Sequence, residues 1–302
     1  MMQQKKSFNP TKTRIPLIIA ILLLTAVFPA WGQNLHFDVS SSLDWSRGEF
    51  TAQTSFNLAQ AGLRLPAGRL MAEETLQRAW PGLFRPHILS LRVDSDSTIE
   101  TLVERGELSL RDLDNISLGA RITPPSLSAD MTSMIGRYTV QLDRIASLLN
   151  RHRRAIEPPR PLVPVHAANH TGIIIIADRE LPIRGRNARA LVEPCLFPKI
   201  WDTNMTLIYD RNMVTPAGGR LMVRYAAPEN IFRPTPSGLE GELAALVGPR
   251  PLRILAREVF GIFPTDPVID RNDALQILSS ENNRRLLREG RVVIVLNAEI
   301  LN

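Results

Sequence analysis

Few side chains in this sequence stand where their type and spacing would do chemistry. His166 and His170 lie four residues apart, the spacing that on a helix puts two imidazoles on one face and lets them share a zinc ion. Four prolines precede the pair (Pro158, Pro159, Pro161 and Pro164) and a β-type apolar run follows it, so a helix is not expected there and neither is a metal. Asp94-Ser95-Asp96 has two carboxylates of the kind that open a Ca²⁺ loop, without the glycine and distal glutamate of an EF-hand; a turn and helix cap is expected instead. Asp178 directly follows an apolar run, where an α/β protein readily places a functional acid. With Arg179 beside it, Asp178 reads as a turn residue. The chain has one cysteine, Cys195, so no intrachain disulfide is possible. Its neighbours Leu196-Phe197 make it a small buried hydrophobe. No strand–Gly–Ser–Gly nucleophile elbow, His-Glu-x-x-His pair or glycine-rich phosphate loop occurs. The expectation is a protein that is not an enzyme, with no catalytic residues, no cofactor and no metal ligands.

The N-terminus has a stronger pattern. Lys5, Lys6, Lys12 and Arg14 precede an apolar run from Ile15 to Phe28, and Ala30-Trp31-Gly32 offers small residues at the −3 and −1 positions of a cleavage site. That order is a secretory signal peptide over residues 1–32, with a run shorter than the ~20 residues that span a bilayer as a helix. The chain carries 36 Lys+Arg against 30 Asp+Glu. Without the signal the balance is 32 against 30, which removes most of the case for an anionic partner. Lys199 is the only lysine beyond the signal. The longest basic cluster, 151–154, lies beside the prolines and is not interleaved with aromatics, so nucleic acid is not expected as a partner. The first residue after cleavage is Gln33, not the cysteine of a lipoprotein, and no later segment is long and apolar enough for a transmembrane helix. The expected location is periplasmic or secreted, with peripheral contact to the outer membrane.

The elements divide into two units. The expected fold class is α+β: two small mixed-sheet domains, 33–150 and 169–302, joined by a proline-rich linker over 151–168, after the cleaved signal. In the first unit, 34–56 reads as strands around a turn at Arg47-Gly48. A helix is expected over 68–79, ended by Pro81-Gly82, then a strand over 88–94. Asp96 or Ser97 should cap a short helix over 98–106, with Glu100 as the reciprocal carboxylate. Alternating residues predict strands at 113–122 and from 136 onwards. In the second unit, strands are expected at 171–177, 197–202, 205–209, 220–225, 252–260 and 291–297. Gly218-Gly219 should turn a hairpin back onto Met213-Val214. Helices are expected at 237–247, capped by Ser237, and at 271–289, capped by Asp270 and ended by Gly290. The unbroken apolar run 292–296 predicts an interior strand covered on both faces.

Three boxes in the second unit resemble a known family. Thr171-Gly172, four isoleucines and Ala177-Asp178-Arg179-Glu180-Leu181 form the first. Pro194-Cys195-Leu196-Phe197-Pro198-Lys199-Ile200-Trp201-Asp202 is the second. The third joins Pro264-Thr265-Asp266 and Asp273-Ala274 to a stretch ending in Gly290-Arg291-Val292. In order and spacing they resemble a bacterial family of secreted or outer-membrane lipoproteins and flagellar basal-disk (FlgP-like) envelope proteins, clearest over 171–297. Trp45 with Gly48, and 136–140, are similar to it more weakly. The resemblance implies a non-enzymatic structural or assembly component of a periplasmic complex, in flagellated members part of a ring around the motor. Its partners would be copies of itself or other envelope and flagellar proteins. Thr171, Gly172, Asp178, Pro194, Pro198, Asp202, Pro264, Asp273, Gly290 and Arg291 would be family-motif positions with structural roles. A periplasmic ligand- or peptidoglycan-binding module is the alternative reading, and a concave pocket lined by arginine and aromatics would favour it.

Overall fold

The structure, a computed structural model, describes residues 36–150, 152–215, 221–232 and 241–301. The signal segment, the Gly218-Gly219 turn and the Ser237 cap lie outside the described residues. Those described form an α+β fold built on a four-stranded and a seven-stranded sheet.

In the first sheet, strands β1 (Phe37–Asp44) and β2 (Glu49–Asn57) pair antiparallel around the expected turn. Gly48 sits there at φ +67°, a conformation that costs glycine nothing. Strand β2 turns Phe50, Ala52, Thr54 and Phe56 inward and the residues between them outward. Helix α1 (Arg69–Leu89) covers that face. Its buried residues, Ala72, Leu76, Trp80, Phe84 and Ile88, recur every four positions. The helix therefore runs ten residues beyond the expected end, straight through Pro81 and Pro86. An internal proline costs about 3 kcal/mol. Trp80 stacked on Tyr138 at 3.7 Å and Phe84 edge-on to Phe50 at 5.2 Å offset that by burying two large aromatics in the stripe beyond the predicted stop.

Consequently 88–94 is not the expected strand: its start is the last turn of α1, and only a single bridge joins Arg92 to Thr98. Helix α2 (Ile99–Glu104) is capped by Thr98, with Thr101 as the reciprocal partner in place of Ser97 and Glu100. Residues 113–122 are mostly helix, not strand. Helix α3 (Leu110–Leu118) starts at a Ser109–Asp112 capping box and buries Leu113 and Ile116, a spacing of three that short alternation conceals. Strand β3 (Arg121–Leu127) carries Pro124-Pro125 at the sheet's edge, where its register on β4 (Ser133–Gln141) slips between Thr123 and Ser126. Edges are where strands tolerate proline. After β4 the chain turns directly into helix α4 (Leu142–Leu149).

The second sheet is organised around β5 (Ile173–Ala177). A small ribbon, β6 (Leu181–Pro182) with β7 (Arg189–Ala190), follows it. Strands β8 (Ile200–Asp202) and β9 (Leu207–Tyr209), within the expected ranges 197–202 and 205–209, pair antiparallel. Strand β10 (Arg224–Ala226) does not fold back on Met213, which closes a 3-10 turn; it pairs in parallel with β13 (Val292–Leu296). Helices α5 (Pro228–Phe232) and α6 (Gly241–Val247) follow. Strand β11 (Leu252–Phe260) runs parallel to β5, and β12 (Asp266–Ile269), not anticipated as a strand, antiparallel to β11. The sheet order is β10-β13-β5-β11-β12-β8-β9. All five residues of β13 are buried, the interior strand its apolar run predicted. The expected helix 271–289 is two, α7 (Arg271–Ser279) and α8 (Glu281–Arg288). Ser280 separates them: its backbone is extended, and its hydroxyl accepts the Asn283 N–H to start α8. Gly290 ends α8 at φ +65°, as expected.

The prolines of 151–168 lie along α7 and α8 as a strap. Glu157 pairs with Arg288, Arg160 with Glu281 at 3.6 Å, and the Val165 N–H donates to Ser279 Oγ at 3.0 Å. One hydrophobic cluster runs from Trp45, Phe50 and Trp80 to Ile173, Tyr209 and Leu286, so the described residues from His36 onwards form one compact unit. Among the described residues, no helix is long and apolar enough to cross a membrane.

Tyr138 stacks fully buried on Trp80, yet its hydroxyl has no hydrogen-bond partner, and burial raises its pKa. Tyr138→Phe removes a desolvated, unpaired hydroxyl and keeps the stack. It should stabilise the protein by roughly 1 kcal/mol, read as a higher urea midpoint. Trp80→Ala should cost about 3–5 kcal/mol.

Candidate functional site: a cleft where the two sheets meet

The chain between α1 and α2 closes a small loop, with Ile99 N–H donating to Leu91 O and Val93 N–H to Ser97 O. Its outward carbonyls then accept from the second half of the protein. Leu196 N–H reaches Arg92 O at 3.1 Å, Phe197 N–H reaches Val93 O at 2.8 Å and Phe263 N–H reaches Ser95 O at 2.9 Å. Gly261 (φ +122°) packs so closely that a Cβ there would lie 2.5 Å from Ser95 Cβ. Trp45 N–H donates to Leu301 O, the Trp45 ring packs edge-on to Tyr225 at 5.7 Å, and Asp143 holds Arg224 at 2.8 Å.

Beside this seam a cleft of about 400 Å³ opens. Its floor is apolar, with Leu43, Trp45, Phe50, Leu91 and Ile300; its rim is polar, with Ser41, Ser42, His87, Ser90, Arg92 and Glu193. Ser41 comes from β1, His87 from the last turn of α1, Arg92 from the loop, and Glu193 from the segment before β8. Arg92 pairs with Glu193 and lies over the Phe263 ring at 5.1 Å; burial lowers its pKa. His87 Nδ1 and Ser41 Oγ are 3.0 Å apart. Among the described residues no carboxylate hydrogen-bonds that imidazole, so nothing orients it as a general base in the manner of a triad. What the cleft offers is an apolar floor with hydroxyls, an imidazole and a charge pair at its rim, the composition of a small-ligand site.

Under the seam lies a second polar group, closed to solvent. Asp266 is buried and accepts from the Lys199 N–H (3.0 Å), the Trp201 indole (3.2 Å) and the Thr265 hydroxyl (3.1 Å). Burial pushes its pKa up, against those hydrogen bonds. Cys195 is buried as expected, and burial raises its thiol's pKa far above the ordinary value. Tyr225 clasps its backbone: the hydroxyl accepts from Cys195 N–H and donates to Cys195 O.

The ten family-motif positions scatter through the second half of the protein as framework. Thr171 donates to Val247 O at 2.7 Å and accepts from Arg250 N–H at 2.9 Å. A Cβ on Gly172 would lie 2.4 Å from Val247 Cα. Asp178 is half-buried in the bend after β5. Pro194 and Pro198 are buried on either side of Cys195, and Pro194 alone of the ten reaches the cleft. Asp202 Oδ1 accepts from Asn204 and Thr206 N–H in the β8–β9 turn. Pro264 O accepts from Glu193 N–H. Asp273 sits in the first turn of α7, where burial and then Asp270 raise its pKa. Arg291 donates to Leu246 O at 2.7 Å. His166 lies in the strap and His170 just after it, both outside any helix, and they share no helical face. His87, Arg92 and Glu193 were not anticipated. They are far apart in sequence, and no motif links them.

A two-sheet α+β protein with a seam cleft is the class these observations define. Comparison with known families divides the chain along the same line. Residues 36–148 match the family model of the N-terminal domain of Treponema pallidum Tp0624, and residues 172–298 match that of its second domain. Neither match links this chain to flagellar or lipoprotein families. No curated protein matches the chain.

Asp266 yields a pH prediction. Its pKa is higher in the fold than in the unfolded chain, where it is near 3.8. Between those two pKa values the fold holds a proton that the unfolded chain has lost. The resulting stability is present below the unfolded pKa and disappears as pH rises through the folded one. Asp266→Asn cannot titrate. The stability of the native protein relative to this variant should decline as urea midpoints are measured from pH 4 to 7, and a constant difference would exclude the argument.

Proposed function

We propose that this chain is a non-enzymatic, exported component of the bacterial cell envelope that works by assembly, with itself or with other envelope proteins, in the periplasm or against the outer membrane. The export reading rests on the basic, apolar and small-residue order of residues 1–32. The single observation that carries the assembly reading is the asymmetry of the first sheet. One edge, β3, is blunted by Pro124-Pro125 and a register slip, whereas the other, β1, pairs in unbroken register over eight residues and carries no proline or lysine. Proteins blunt the edges that must stay unpaired. The three boxes over 171–297 support a finer reading, a lipoprotein-like or FlgP-like component associated with the flagellar motor. An epitope-tagged chain should fractionate with the periplasm or envelope as a species larger than its monomer, and its deletion should alter motility or envelope integrity. A cytoplasmic monomer without such a phenotype would refute the proposal.

The cleft favours a second reading, a ligand- or peptidoglycan-binding module, because arginine and aromatic residues line a concave site between two sheets. Calorimetry with soluble peptidoglycan fragments would then show binding that Arg92→Ala weakens at least about tenfold, on the order of 1.4 kcal/mol. Absence of heat with the native protein would leave the assembly reading alone.

A further inference from the structure

We infer that β1 is the pairing edge for a second copy of this chain, joined antiparallel across a two-fold axis through Ser40. The inference rests on the assembly reading above and gives it a partner, an edge and a register.

Strand β1 has no buried residue, and Asp38, Ser40, Ser41 and Ser42 are exposed. Among the described residues, β2 alone pairs with it. Opposite β2, its odd-numbered residues lie on the helix-covered face: Phe37 faces Phe56, Val39 faces Thr54 and Leu43 faces Phe50. Its even-numbered residues lie on the outer face. A two-fold axis perpendicular to the sheet keeps both faces continuous, and opposed residues in antiparallel strands share a face. Only registers that pair odd with odd and even with even survive this condition, and in each the axis passes through one residue.

Charge then separates the registers. An axis through Ser41 opposes Asp38 to Asp44 twice, which is destabilising. An axis through Ser40 opposes His36 to Asp44 twice and Phe37 to Leu43 twice. Val39 then meets Ser41, Asp38 meets Ser42, and Ser40 meets its own copy. The half-exposed Phe37, stacked on Phe56 at 5.1 Å, gains an apolar cross-strand neighbour on the helix-covered face. Because β3 is blunted, growth stops at two copies, and the contact is isologous and closed. A contact over one eight-residue strand and the flanking His36 is small, below about 1,200 Å², so a reversible dimer at micromolar concentration is expected.

The test uses the protein isolated from the envelope of expressing cells. Sedimentation equilibrium should show a concentration-dependent dimer. Ser40→Lys sets two ammonium groups face to face at the axis and should give a monomer with an unchanged thermal melt; Ser40→Thr should stay dimeric. Under mild oxidation Ser40→Cys should link two copies, whereas Asp38→Cys, offset from its own copy, should not. The native thiol is buried. If Ser40→Lys does not fold, the cysteine pair decides alone. A monomer throughout, a dimer that survives Ser40→Lys, or linking at 38 as fast as at 40 would overturn the inference. A monomer that still fractionates with the envelope and co-purifies with another envelope protein would overturn this inference and leave the assembly reading in place.

Discussion

The seam at residues 91–99 is the constraint on which the rest of the structure depends. A loop this short has few ways to satisfy its own backbone. Three of its carbonyls instead accept N–H groups from the far half of the chain, from Leu196, Phe197 and Phe263. Buried backbone groups are almost always paired, so separating the halves would leave these groups without their partners and open the common core. The seam explains the course of α1. The helix must deliver Leu91 to this junction, and its stripe of Trp80, Phe84 and Ile88 is what keeps it helical past two prolines.

Most polar chemistry in the molecule serves this architecture. Asp266 collects hydrogen bonds from the β8 strand and its flank. Asp202 shapes a turn, Thr171 ties β5 to α6, and Asn283 holds the end of the strap through the His170 N–H and Ala168 O. Such groups are costly when unpaired and specific when paired. Cys195 belongs with them: buried and with a raised pKa, it acts as a hydrophobe wedged between Pro194 and Leu196. Polar groups also stand at the cleft rim and along β1, which adjoin each other through Ser41 and Ser42. Ligand recognition and strand pairing would thus occupy one region of the surface.

The strap gives the proline-rich segment a purpose other than spacing. Glu157 and Arg160 anchor it to charges on α8, and between the anchors and β5 it leaves Leu162 and Val163 on the surface at 101% and 78% exposure. Proline removes backbone donors and stiffens the chain, which suits a segment that must cross a helix pair without sheet partners. Ion pairs of this exposed kind are individually weak, at about 0–1 kcal/mol. Its position is therefore set as much by its covalent ends at α4 and β5 as by those pairs.

The sequence by itself determined the class of fold and the strands whose signal is a continuous apolar run. Ile173–Ala177 and Val292–Leu296 need burial on both faces, and no local competitor changes that. It also determined the buried state of Cys195 and the Gly290 stop. Tertiary structure decided where local signals conflicted with packing. Pro81-Gly82 reads as a helix stop until Tyr138 and Phe50 are placed against the same helix, and the stretch 113–118 alternates like a strand until its Leu113 and Ile116 are buried together. The cleft was not legible at all, because Ser41, His87, Arg92 and Glu193 meet only when the two sheets close on the seam. Elements that bury their own face are written locally, whereas a site made of residues from four separate segments exists only once the core has joined them.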